Sequence, residues 1–387
     1  MYNFKLIKEI REQLGMIQEE LANRSGLNRS TINQIENGKY KDLTISKIIN
    51  ISKALNIPTS YLLEAEQETA DKKILFRAQE KLKDQDLSEI SWLIHSLYPR
   101  YKNLQHIVIK ENPGCLIPCY HVPITPVSIR NKAIISIAEK ERKSLGIEPG
   151  TDYDLKSILL QYADIYEIPF NSLDILGFTI FDTSTGKPLI IINSRINPNQ
   201  KRFILAHEYG HLLFDRENIS DKIELRSDLF SDDPVENRAN QFAAEFLVPE
   251  KELNSHSEKI NEEGLAFLMN KFRVSRQVIV NRWFSLDKIN EDQKKHFDAI
   301  RPIQLLKFYG YNNDEIEYYK TKPYLKSISN NFDKLPPEYL TLVKQAYVNG
   351  NISYKKIADY SLIQPEEIEK KLQLSDEEID EYEQVYE

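Results

Sequence analysis

The sequence predicts a multidomain, mainly α chain. It has an N-terminal five-helix module, an α+β unit with a small sheet, and a helical C-terminal region. Three observations carry this reading. Apolar residues recur at helical spacing over most of the 387 residues. Only two neighbouring runs, 176–181 and 188–193, are apolar and β-branched enough to read as strands, and a glycine-containing loop separates them. The length calls for two to three domains at roughly 100–200 residues each. The boundaries fall at 1–64, a helical linker over 65–112, a central domain over 113–288 and a helical domain over 289–387 that ends in an acidic tail.

Composition narrows the function. With 41% hydrophobic and 28% charged residues, the chain is an ordinary water-soluble globular type. No apolar run reaches the ~18 residues of a bilayer-spanning helix, and the first residues show no secretory leader. Two cysteines rule out a disulfide scaffold and fit a reducing compartment. A cytoplasmic location is therefore expected. The net charge of −8 argues against a chain that coats nucleic acid along its length. Residues 1–64 run the other way, with nine basic against seven acidic side chains. One small DNA-reading module is compatible with that balance.

Within 1–64, Leu6, Ile10 and Leu14 mark a first helix. Gln18-Glu19-Glu20-Leu21-Ala22 opens a second, and Gly26 sits where a tight turn needs positive φ. A third helix over 28–36 stops at Asn37-Gly38. Thr31, Ile32 and Ile35 point inward; Arg29, Ser30, Asn33 and Gln34 point outward. Helices near 44–55 and 59–63 complete the unit. Residues 74–104 and 128–170 show helical spacing, with Pro113-Gly114 and a proline-rich loop between them. From Asn199 onward the pattern is helical.

The motifs of 1–64, Gln18 to Ala22, Gly26 to Ile32 and Ile35 to Gly38, resemble the repressor-type helix-turn-helix family. That resemblance makes 28–36 the recognition helix, since a helix fits the major groove and its N-terminal side chains reach base edges. Arg29, Ser30, Asn33 and Gln34 are then the base-reading residues. Gln18, Asn37, Lys39 and Lys41 are placed for phosphates. Arg11 and Glu36 correspond to the family's buried ion pair. A homodimer on a two-fold, double-stranded DNA operator is expected.

The sharpest chemical signal is His207-Glu208-Tyr209-Gly210-His211. Positions i and i+4 share a helix face, so both imidazoles can point at one metal ion. Glu208, offset by one residue, can act as general base toward the attacking water. A catalytic zinc takes three protein ligands. The carboxylates and histidine on offer downstream are Asp215, Glu217, Glu224, Asp232, Asp233, Glu236, Glu245 and His256. One straight helix cannot close three sides of a tetrahedron, so a second must contribute. Pro234 is placed as the first residue of one, with Asp232 or Asp233 as its cap. Glu236 in its first turn is the choice, with Glu245 and His256 in reserve.

Arg202, Ala206, His207, Glu208, Gly210 and His211, followed by Glu236, Ala239, Asn240, Phe242, Ala243, Ala244, Leu247 and Pro249, resemble the ImmA/IrrE family of zinc metallopeptidases. The resemblance implies a zincin-like α+β fold. It also implies one Zn2+ per chain at His207, His211 and Glu236, with Glu208 as catalytic base. Tyr209 departs from the usual leucine and should face away from the metal. Cys115 and Cys119, with His121 nearby, have poor spacing for a structural metal site and read as reduced thiols.

The function expected is a DNA-binding transcriptional regulator carrying a zinc endopeptidase. It would cut a protein partner, a repressor or antitoxin, in a stress or mobile-element response, with no membrane involved. The alternative is a transcriptional repressor or antitoxin whose peptidase-like domain is a zinc sensor or partner-binding platform without proteolysis.

Overall fold

The computed structural model describes residues 4–13, 16–40, 43–55, 62, 72–78, 84–108, 117–123, 130–150, 152–182, 187–216, 234–256, 260–321 and 332–372. The N-terminal module contains α1 (Phe4–Gln13), α2 (Gln18–Ser25), α3 (Arg29–Glu36) and α4 (Ile45–Ala54). Asn28 caps α3 by accepting from the Thr31 N–H, and Gly26 ends α2 at φ 67°. Ile7, Ile10, Leu21, Ile32, Ile35, Ile48 and Ile51 form its core, with Leu62 joining from the expected fifth helix. The rest of 59–63 lies outside the described residues. Thr31, expected inward, is half-buried.

Next comes β1 (Lys72–Ala78), a strand where apolar spacing predicted helix. The helices α5 (Asp84–Trp92) and α6 (Tyr98–Val108) follow, joined through a π-helical stretch, Leu93–Leu97. Then come α7 (Lys132–Ser144), α8 (Leu155–Leu159), β2 (Asp164–Ile168), β3 (Ile175–Asp182) and β4 (Leu189–Asn193). The predicted strand pair is present as β3 and β4. The helical reading of 128–170 fails at β2. Its five residues pair in parallel with β4, a long-range choice that local spacing does not encode.

The sheet order is β1-β3-β4-β2, with β3 antiparallel to both of its neighbours. Its two faces belong to different cores. Ile165, Leu176, Ile190 and Ile192 join the core that contains α9 (Pro198–Phe214) and α10 (Pro234–Leu247). That core extends through α11 (Glu250–Asn254), α12 (Glu262–Phe272), α13 (Arg276–Ser285), α14 (Glu291–Ala299), α15 (Pro302–Phe308) and α16 (Asn313–Glu317). Tyr166, Ile168, Phe178, Ile180, Leu189 and Ile191 face the opposite way. They meet α5, α6 and three C-terminal helices, α17 (Pro337–Val348), α18 (Tyr354–Ser361) and α19 (Ile368–Leu372). β4, covered on both faces, is buried at every residue, which explains its unbroken apolar run. None of the described helices is long and apolar enough to cross a membrane. The expected acidic tail lies outside the described residues.

Helix α9 crosses the sheet closely because β3 has a glycine beneath it. A Cβ on Gly177 would stand 2.8 Å from the Ile191 carbonyl oxygen and 2.9 Å from Ile204 Cγ2. Gly177→Ala is therefore expected to destabilise the chain by about 1–3 kcal/mol through overpacking. A denaturation midpoint equal to wild type would contradict this.

Candidate metal centre

Asn197 and Gln200 form a capping box at the start of α9, with Pro198 in the first turn. From Ile204 to Phe214 every residue is buried, because the sheet covers one side and α10 the other. The second helix can approach closely at Gly210, where a Cβ would stand 3.0 Å from Phe242 Cδ1 and 3.4 Å from Ala239 Cα. That approach brings the first turn of α10 to the histidines.

His207, His211 and Glu236 converge there, with one ligand atom from each lying within 4.8 Å of the others. The two Nε2 atoms are 2.9 Å apart. Glu236 Oε2 is 3.2 Å from His207 Nε2, and Oε1 is 3.4 Å from His211 Nε2. Each ring is held from behind. His207 Nδ1 lies 3.0 Å from Asn240 Oδ1, and His211 Nδ1 lies 2.7 Å from Asp215 Oδ2. Arg238 pairs with the other Asp215 oxygen and donates to the Val122 carbonyl at 2.7 Å. With a metal ion bound, an N–H at each Nδ1 would leave each Nε2 lone pair for the ion, as in metal sites whose outer partners fix the tautomer. Burial pushes the Glu236 carboxyl up, but the two imidazoles outweigh it and hold it far below the usual range. Burial also disfavours charge on His211, yet Glu236 and Asp215 hold its pKa well above the ordinary value. Two inward nitrogens and one ionised oxygen, buried, suit a zinc ion.

Glu208 stands beside this cluster and is buried; its Oε2 accepts a 2.7 Å hydrogen bond from Thr179 Oγ1 on β3. Tyr209 turns the other way. Its hydroxyl donates to Glu141 of α7 at 2.5 Å, and its ring stacks on Tyr162.

The remaining sequence candidates sit elsewhere. Asp215 stands behind a ligand. Glu245 pairs with Arg282 at 2.6 Å, and His256 lies against Lys271 and Phe267. Glu217, Glu224, Asp232 and Asp233 fall outside the described residues, as do Cys115 and Lys41. Cys119 is half-buried and His121 exposed; among the described residues they belong to no metal-holding cluster.

On α3 and the turn after it, Arg29, Ser30, Asn33, Gln34, Asn37 and Lys39 are exposed. Gln18 is half-buried and donates to Glu36 Oε2 at 2.8 Å. Asn37 Nδ2 donates to the Asn33 side chain at 2.8 Å.

Sequence reasoning missed Thr179, Arg238 and the role of Asn240. Asn240 was open to detection, since i and i+4 place it on the face of Glu236. Thr179 gave no signal beyond its place in a strand. Asn240→Ala is expected to weaken zinc binding by about 10–100-fold, read by competition with a chelator, with the circular dichroism unchanged.

Comparison with known proteins gives two family matches and one relative. Residues 162–284, which contain α9 and α10, match the family model of the IrrE N-terminal-like domain. Residues 7–62 match a helix-turn-helix family model. A 93-residue stretch is 38% identical to the uncharacterized immunity region protein 2 of Bacillus phage phi105. The match covers 24% of this chain and 57% of the phage protein, so the chain spans little more than half of that relative's length. The chain thus joins a helix-turn-helix domain to a domain similar to the ImmA/IrrE peptidases.

Proposed function

We propose that this chain is a DNA-binding regulator with a zinc-dependent endopeptidase that cuts a protein partner, a repressor or antitoxin, in the course of a mobile-element or stress response. The observation that carries the reading is the buried His207–His211–Glu236 cluster with an anchored carboxylate, Glu208, beside it. His207, His211 and Glu236 would hold the metal. When bound, zinc supplies Lewis-acid polarisation of a carbonyl and makes water acidic enough to lose a proton near pH 7. Glu208 would take a proton from the attacking water and return it to the departing amide nitrogen. The Thr179 hydrogen bond anchors one Glu208 oxygen. A purely structural zinc site has no use for such a base. Likeness to a phage immunity region protein supports the mobile-element setting.

On the DNA side, Arg29, Ser30, Asn33 and Gln34 would meet base edges. Gln18, Asn37 and Lys39 would meet phosphates, with two chains on a two-fold operator. The peptidase reading is tested by zinc analysis of purified wild type and His207→Ala, run beside a comparison of whole-cell proteins. The expected result is one zinc per wild-type chain, little in the variant, and an intact protein that disappears only in wild-type cells. Zinc-free wild-type protein would overturn it.

A further inference from the structure

The base Glu208 rests against one particular strand. Its Oε2 is 2.7 Å from Thr179 Oγ1, and Thr179 lies in the middle of β3. A peptide bond that Glu208 serves must come within hydrogen-bond reach of it, and β3 is the strand that Glu208 touches. Two strands flank β3. On one side is β4, which is buried on both faces and also pairs with β2. Removing it would dismantle both cores. On the other side is β1, which lies at the border of the sheet and is paired there along one edge. It runs antiparallel to β3, with Leu75 opposite Thr179, and its register breaks between Arg77 and Ala78. In chain order β1 is also the first described element after Leu62 of the DNA-binding module.

We propose that the outer edge of β3 is the docking lane for an extended segment of the protein partner, and that β1 fills this lane in the resting chain. The proposal rests on the peptidase reading and adds its mode of substrate binding and its restraint. An incoming segment takes over the main-chain ladder that β1 now occupies, because backbone pairing needs only an extended peptide and leaves selectivity to alternate side chains. Segments with proline at a ladder N–H position are excluded. β1 is tethered to the DNA-binding module by the intervening chain, so events at the operator can bias its release. A peptide added instead to the outer border of β1 would lie one strand spacing, about 4.8 Å, farther from Glu208.

The test locks β1 in place. Lys73 and Phe181 are register partners. Directly opposed antiparallel positions lie about 4.5–5.5 Å apart at Cα, within disulfide range. Lys73→Cys and Phe181→Cys are introduced into the full chain together with Cys115→Ser, Cys119→Ser and Glu208→Gln, so that a bound peptide is not cut. The probe is a fluorescent synthetic peptide carrying residues 70–80 of this chain, titrated by anisotropy with the reduced and the oxidised protein. The reduced protein is expected to bind at least about 10-fold more tightly, because the lock removes the competent state. Equal affinities, or no binding by the reduced protein, overturn the proposal. A second chain, with 72–78 replaced by glycine and serine, guards against a failed lock. If it keeps its circular dichroism and zinc yet does not bind the probe, the proposal also falls. Restoring Glu208 and following the partner protein in cells separates the two readings: probe binding with the partner left intact leaves the lane standing and removes the peptidase.

Discussion

Glu208→Gln is expected to lower cleavage of the partner protein by about 10²–10⁴-fold, the usual contribution of a positioned general base. Zinc content and melting temperature should stay at wild-type values. Glutamine has the same shape as glutamate, and its carbonyl oxygen can still accept the Thr179 hydroxyl hydrogen bond. It cannot take a proton from water at neutral pH. None of the three metal-facing side chains is touched. A loss of activity at full zinc occupancy is therefore a chemical loss. Comparing the survival of the partner protein in cells carrying wild type or the variant reads this directly. If the partner disappears equally in both, the protease is not this site, and a binding or sensing role for the domain takes its place.

The second large effect lies in the DNA-binding module. Arg11 and Glu36 are joined through Nε at 2.5 Å and Nη2 at 3.0 Å, and both are buried. The hydrogen bond to Glu36 holds the Arg11 guanidinium above its ordinary pKa. Removing one partner strands a buried charge, which costs about 3–5 kcal/mol. A module of this size has little more stability than that to lose. Arg11→Met should thus unfold the module and abolish operator binding without touching a DNA contact. Replacing both partners, Arg11→Met with Glu36→Leu, should recover most of the stability, since an apolar pair leaves no charge stranded. Arg29→Ala makes the opposite case. Arg29 is exposed, so its loss should leave the melting temperature alone and weaken specific binding by about 1–3 kcal/mol. Thermal melts beside operator titrations separate the two. An Arg11→Met chain that melts and binds as wild type would show the pair to be dispensable.

What the sequence disclosed follows from how locally each feature is encoded. His207 and His211 were legible because one helix turn fixes their common face. Glu236 was legible because Pro234 announces a helix start and the tetrahedral argument demands a second helix. The residues behind them were harder. Arg238 reaches Asp215 and the Val122 carbonyl across long stretches of chain, and no local pattern reports such contacts. Among the strands, β3 and β4 were readable from two apolar runs around a glycine-containing loop. β1 and β2 were not. Leu75 fits a helical spacing as well as a strand, and Asp164–Ile168 is five residues long and pairs in parallel at a distance. Short apolar runs remain ambiguous until a partner strand chooses for them.

The sharing of one sheet between two cores constrains how the gene can be divided. A fragment cut to residues 162–284 would keep the histidine helix but lose β1, α5 and α6, and the closing helices from Pro337 onward. Tyr166, Ile168, Phe178 and Ile191 would then face water as one greasy wall. Such a fragment should precipitate or stick to itself when expressed alone. Purification for biochemistry therefore has to begin from the whole 387-residue chain, and an inert fragment would say nothing about the proposed activity.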